Sequence, residues 1–141
     1  MARFHATVPS ARSTDDTFRY LADFGNLAEW DPSTLRSRRL DREPLGVGNR
    51  FDVTMRLGGR EVQLDYATVE FDAGRRRVVL VGRNGGTTSI DRMTVADDAT
   101  VTYDATVEFT GPLRLADPFF GLYFQYIGKK AARRMREVLA A

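Results

Sequence analysis

The sequence predicts an α+β fold in which a curved antiparallel sheet wraps around a long C-terminal helix. Two observations carry that expectation. From about Leu35 to Phe109 the hydrophobic pattern repeats every two residues, and from Asp117 onward it repeats every three to four. A third is length: 141 residues match a single core, so one domain spanning 1–141 is expected.

Each element follows in order. Phe4, Ala6 and Val8 alternate with Arg3, His5 and Thr7, which reads as a strand closed by Pro9. His5 falls on the polar side and is assigned no chemistry. Ser13 precedes Thr14-Asp15-Asp16, a capping residue followed by acids at the positive helix end, and Phe18, Leu21 and Ala22 then recur at helical spacing. Gly25 breaks this helix. Asn26 is expected to cap a second short turn through Leu27, Ala28 and Trp30, which Asp31-Pro32 ends. About six strands follow. Phe51, Val53, Met55 and Leu57 lead through Gly58-Gly59 into Val62, Leu64 and Tyr66, a hairpin. The phase slips between Tyr66 and Val69-Phe71, which predicts a β-bulge and a bend in the sheet. Val78–Val81 lies within a strand from Arg77 to Arg83. Gly85-Gly86 turns into Thr87–Val95, and Asp97-Asp98 turns into Val101–Phe109. Asp117-Pro118 reads as a cap with proline at the first helical position. Phe120, Phe124, Ile127, Ala131, Met135 and Val138 then line one face of a helix of about 22 residues, or about 33 Å.

Composition excludes several kinds of chemistry. There is no cysteine, hence no disulfide, thiolate nucleophile or zinc knuckle, and a single histidine leaves no multi-histidine metal site. No Gly-x-Ser-x-Gly elbow is present to build a hydrolase triad. The net charge is only +2, from 21 basic and 19 acidic residues, which is not the balance of a nucleic-acid binder. No apolar run approaches the length of a spanning helix, and the N-terminus lacks the apolar segment of a signal peptide. A soluble cytoplasmic protein is expected.

The stretch Phe18-Arg19-Tyr20-Leu21-Ala22-Asp23-Phe24-Gly25-Asn26-Leu27-Ala28-Glu29-Trp30-Asp31-Pro32, with Gly46-Val47-Gly48, Asp91-Arg92-Met93-Thr94-Val95, Val101-Thr102-Tyr103 and Gly111–Pro118, resembles the START/Bet v 1-like (SRPBCC) superfamily. The likeness spans essentially the whole chain and is strongest toward the bacterial polyketide cyclase/dehydrase branch. It implies a helix-grip fold enclosing an apolar cavity for lipids, polyketides or other hydrophobic small molecules. No metal or organic cofactor is implied.

Strand parity nominates the residues inside such a cavity. Asp91 shares a face with Met93 and Val95, and Tyr103 shares one with Val101, Ala105 and Val107. Any hairpin register that keeps these faces together sets Asp91 opposite Tyr103 or one diagonal step away. A carboxyl in an apolar cavity has a raised pKa suited to proton transfer, although a buried acid–phenol pair is also a common structural device. Trp30, Phe51, Val53, Met55, Leu64, Tyr66, Ala105, Val107, Phe120, Tyr123, Phe124 and Ile127 are the expected ligand contacts. Phe119, Leu122, Tyr123 and Tyr126 exceed what one buried stripe needs, so they are expected at the cavity mouth or at a contact with short helices, a second copy or a membrane. Lys129, Lys130, Arg133, Arg134 and Arg136 suit the negative end of the helix, while Arg36, Arg38, Arg39 and Arg75–Arg77 are candidates for a basic rim.

Three functions fit these residues. The first is sequestration of a hydrophobic or amphipathic small molecule by a monomer or homodimer. The second is a polyketide cyclase or dehydrase with Asp91 and Tyr103 as acid/base groups. The third is an interaction module using Phe119, Leu122, Tyr126 and the basic tail.

Overall fold

The computed structural model describes residues 1–111 and 117–141, with Asp117 and Pro118 described by backbone alone. The Pro112–Ala116 part of the family-like stretch and the capping role of Asp117-Pro118 therefore lie outside the described residues. The order is β1 (Ala2–Val8), α1 (Thr14–Ala22), a 3₁₀ turn (Phe24–Asn26), α2 (Leu27–Trp30), β2 (Thr34–Arg39) and β3 (Arg50–Leu57). It continues through β4 (Arg60–Asp72), β5 (Arg77–Asn84), β6 (Thr87–Val95), β7 (Val101–Phe109) and α3 (Asp117–Leu139).

The strands form one antiparallel sheet in the order β1-β7-β6-β5-β4-β3-β2. Only β1 breaks the sequential meander, pairing with β7 from Ala2 opposite Val107 to Val8 opposite Val101. Alternation specifies the register, because a one-residue slip would turn every core residue to solvent. In β6, Thr87, Ser89, Asp91, Met93 and Val95 are buried in strict alternation. The expected bulge is present: the β4/β5 register shifts between Thr68 and Glu70, leaving Val69 exposed. A second shift, between Thr34 and Arg36 in β2, has no hydrophobic phase slip to announce it.

The Gly58-Gly59 turn joins β3 to β4 with both residues at positive φ, 58° and 82°, the conformation a two-residue hairpin needs. Ser13 caps α1 as expected, accepting from the Asp16 amide at 3.1 Å. Asn26 departs from expectation. Its side chain makes no cap to α2 and instead donates to the Tyr20 carbonyl at 3.0 Å, while Asp23 caps the 3₁₀ turn through the Gly25 amide at 2.9 Å. Two helical segments meet without a gap here, so the polar side chains join them rather than start a free helix.

The helix α3 lies in the curve of the sheet and buries Phe124, Ala131, Met135 and Leu139. Phe120, Ile127 and Val138 are only partly buried on the same core. Gly128 sets how closely α3 approaches β1, since a Cβ there would stand 2.4 Å from the Phe4 ring. The far end of α3 is anchored by the Ala11 amide on the Leu139 carbonyl (2.8 Å) and by Arg12 on that of Val138 (3.2 Å). No helix among the described residues is long and apolar enough to cross a membrane.

Gly128→Val is expected to lower unfolding free energy by about 2 kcal/mol, because the new side chain must displace either Phe4 or the helix. Urea denaturation followed by circular dichroism measures it. An unchanged midpoint would show that the helix seat is loose.

Candidate functional site

The concave face of the sheet, α2 and α3 enclose a narrow cavity. Strands β3, β4, β6 and β7 contribute Met55, Leu64, Tyr66, Ser89, Asp91, Tyr103, Ala105 and Val107, and α3 closes it with Phe124, Ile127, Gly128 and Ala131. Its free volume is about 40 Å³, room for about three waters at the usual 10–15 Å³ each. The walls are apolar, and no lysine or arginine among the described residues lines them.

A polar cluster occupies the sheet side. Asp91, opposite Ala105 in the β6/β7 register, sits one diagonal step from Tyr103, which pairs with Met93. That is the diagonal option expected from parity. Tyr103 donates to Asp91 Oδ1 at 2.8 Å, and Tyr66 Oη lies 3.0 Å from Oδ2 and 2.9 Å from Ser89 Oγ. A phenol has one proton, so when Tyr66 donates to Asp91, Ser89 donates to Tyr66. Both carboxylate oxygens then accept. Gly82 makes the Tyr66 position possible: it is the cross-strand partner on β5, and a Cβ there would lie 2.6 Å from the ring.

Burial dominates the electrostatics. It pushes Asp91 up to about 6, against the opposing pull of the Tyr103 and Tyr66 hydroxyls, and the Asp31 carboxylate raises it further. The two phenols are pushed well above their ordinary values by burial and by the charge of Asp91. Asp31 is a second buried acid on the cavity wall. Its carboxylate accepts from the Ser33 amide (3.0 Å), the Ser33 hydroxyl (2.7 Å) and the Thr34 hydroxyl (3.0 Å), while burial raises its pKa.

The expected contacts divide by place. Met55, Leu64, Tyr66, Ala105, Val107, Phe124 and Ile127 line the cavity. Trp30, Phe51 and Val53 are fully enclosed in the core off the cavity wall; Trp30 meets Tyr103 edge-on at 5.4 Å, and its indole N–H has no hydrogen-bond partner among the described residues. Phe120 stacks with Phe124 and packs on Phe109. Tyr123 lies at the mouth, where its hydroxyl accepts from the Gly58 amide at 3.1 Å and ties α3 to the β3–β4 turn.

Beside that tie a surface groove of about 280 Å³ shares Ser33 and Ile127 with the inner cavity. Phe119, Leu122 and Tyr126 are exposed on α3, at 81%, 79% and 56%. Most arginines expected at a basic rim have carboxylate partners instead: Arg38 on Asp52, Arg39 on Asp23 and Asp41, Arg75 on Asp72, Arg76 on Asp97 and Arg77 on Glu70. His5 is exposed and bonds Asp104 at 2.7 Å.

Sequence reasoning missed Asp31 and Ser89. Ser89 was within reach, because Thr87, Ser89 and Asp91 share one parity. Asp31 reads from sequence as a helix terminator, and only its Ser33-Thr34 sequel hints at a carboxylate held by its own following turn.

Comparisons with known proteins place this geometry. The family described as "Polyketide cyclase / dehydrase and lipid transport" matches residues 1–140. No curated protein matches the chain in sequence. Among solved structures, a START superfamily protein from Mycobacterium smegmatis superposes with a TM-score of 0.76 at 14% identity, covering 99% of this chain and 97% of that one. Ginseng major latex-like protein 151 from Panax ginseng gives 0.71 at 13% identity, with coverage of 99% and 98%. A STAR-related lipid transfer protein fragment from Xanthomonas axonopodis gives 0.68 at 16% identity, covering 97% and 85%. At these identities the likeness is one of fold.

The raised pKa of Asp91 has a pH signature. Between its ordinary value of 3.8 and about 6 the folded state holds a proton that the unfolded chain releases, so this group's contribution to stability falls as pH rises through that window. Stability of Asp91→Asn minus that of wild type is expected to shift in favour of the variant by about 2 kcal/mol from pH 4 to pH 7. Urea titrations at the two pH values measure it, and a flat difference would place the Asp91 pKa near its ordinary value.

Proposed function

We propose that this chain, which belongs to the polyketide cyclase / dehydrase and lipid transport family, binds a hydrophobic or amphipathic small molecule between its sheet and α3. The observation that supports the reading is the asymmetry of the cavity. Apolar side chains form most of its walls, and the hydrogen-bonding groups fall in two places, Asp91 with Tyr66, Ser89 and Tyr103 on the sheet and Asp31 with Ser33 beside the groove. Such an arrangement attracts a ligand by its apolar body and orients it by a few polar contacts.

Entry requires movement, because the free volume of about 40 Å³ is smaller than any lipid or polyketide. The mouth is the place to open. The Tyr123–Gly58 bond closes it at the tip of a hairpin, and one such bond contributes about 1 kcal/mol net, a small barrier to separation. A ligand that displaces α3 from the turn would gain the groove beside Ser33 and Ile127 as added space.

Ala105→Leu fills the cavity from β7 without adding charge. Affinity for the neutral fluorophore N-phenyl-1-naphthylamine, read by fluorescence titration, is expected to drop about tenfold or more, with the fold retained by circular dichroism and stability lowered by no more than about 1–3 kcal/mol. Wild-type protein that fails to bind this and other apolar probes would overturn the reading.

A second reading, that of a cyclase or dehydrase, draws support from one observation. Asp91 has a pKa of about 6 and lies within hydrogen-bond distance of two phenols on a cavity wall. A carboxyl so poised can take a proton from an acidic carbon and return it to the carbonyl oxygen attacked in an aldol cyclisation, or to the hydroxyl that leaves as water in a dehydration. On that reading Asp91→Asn lowers turnover of a polyketide-type substrate by ~10²–10⁴ with affinity kept within a few-fold. An unchanged rate would leave binding alone.

A further inference from the structure

The groove that meets the cavity at Ser33 and Ile127 is bordered by two cations, Arg56 on β3 and Lys130 on α3, and by no acidic residue. Both are exposed. Neither has a carboxylate partner among the described residues. Lys130 rests over the Tyr126 ring at 4.5 Å, and Arg56 makes no ion pair with Glu61, its cross-strand neighbour. This contrasts with Arg38, Arg39 and Arg75–Arg77, each held by an acid. The inner cavity has the opposite character: Asp91 is buried on its sheet side, Asp31 is buried nearer the groove where Ser33 and Thr34 satisfy it, and no lysine or arginine among the described residues lines it.

We propose that the ligand is an amphiphile with an anionic head, its carboxylate or similar group held at the mouth by Arg56 and Lys130 and its apolar body directed inward. The inference rests on the ligand-binding reading above and adds the chemical class and the orientation. Two features fix the direction. An anion at the inner end would face the buried Asp91 carboxylate with no lysine or arginine among the described lining residues, where like-charge repulsion in a low dielectric is strongest. At the mouth a guanidinium can take a carboxylate through paired N–H donors while the ammonium supplies a point charge, and water still reaches the head, so little solvation is lost. Tyr123 and Tyr126 line the same groove beside the first carbons behind the head.

The test uses matched ligands, decanoate and decanol, each displacing N-phenyl-1-naphthylamine from the full chain at pH 8. Wild type is expected to bind decanoate about tenfold more tightly than decanol at low salt, a preference of the size that two partly screened charges give. About 0.5 M KCl should erase most of it. In the Arg56→Gln/Lys130→Gln double variant the two affinities are expected to converge, with decanol unchanged within about twofold, which also shows that the cavity is intact. Decanol equal to or tighter than decanoate in wild type would overturn the proposal and leave the ligand-binding reading standing, as would a preference that survives in the double variant. If neither ligand nor the fluorophore binds, both fall together.

Discussion

Placing the Asp91 carboxylate inside an apolar cavity costs several kcal/mol unless its oxygens are occupied, and three strands are arranged so that they are. Tyr103 reaches Oδ1 from β7 and Tyr66 reaches Oδ2 from β4, with Ser89 of β6 behind Tyr66. The phenols that satisfy the acid are large, and each is seated by a further contact. Tyr66 lies against Gly82, and Tyr103 is met edge-on by Trp30. The curvature of the sheet, the bulge at Val69, the bare backbone at Gly82 and the position of α2 all bear on one carboxylate.

The bulge shows how such coupling arises. The 13-residue β4 bends at Val69, pairing with β3 over Arg60–Ala67 and with β5 over Asp65–Asp72. A flat sheet could not close over a helix from two sides. On the opposite wall Gly128 removes a side chain where Phe4 needs the room. A small residue facing a large one on each side keeps the interior narrow without filling it, and the polar groups remain in contact with the remaining space.

Charge is distributed with the same economy. Two carboxylates, Asp31 and Asp91, lie inside, and the arginines of the β2–β3 and β4–β5 edges, Arg38, Arg39 and Arg75–Arg77, are paired locally with acids. At the mouth Arg56 and Lys130 remain without such partners, beside the bond that joins Tyr123 to the hairpin tip. The inner and outer ends of one apolar passage therefore differ in sign, which sets a direction for anything that enters it. Phe119 and Leu122 are exposed in the first turns of α3, on either side of Phe120, which packs on Phe109 of β7.

Much of this was determined by the sequence itself, wherever a short-range rule applies. Alternation in Thr87–Val95 and Val101–Phe109 specified which side chains face inward, and with the Asp97-Asp98 turn it limited Asp91 to the vicinity of Tyr103. The glycine pair at 58–59, the Ser13 cap and the phase slip near Val69 each declare a local backbone geometry. Tertiary structure decided what depends on distance between segments. Trp30 and Asp31 are adjacent in the chain, yet one is enclosed off the cavity wall and the other lines it, because the position of α2 against α3 aims them differently. Asn26 looked like a cap and became a tie to Tyr20. Parity gives a face and not a depth, so it could not separate Phe51 and Val53 in the solid core from Met55 and Leu64 on the cavity wall. The meeting of Arg56 and Lys130, 74 residues apart in the numbering, exists only because α3 folds back over the β3–β4 hairpin.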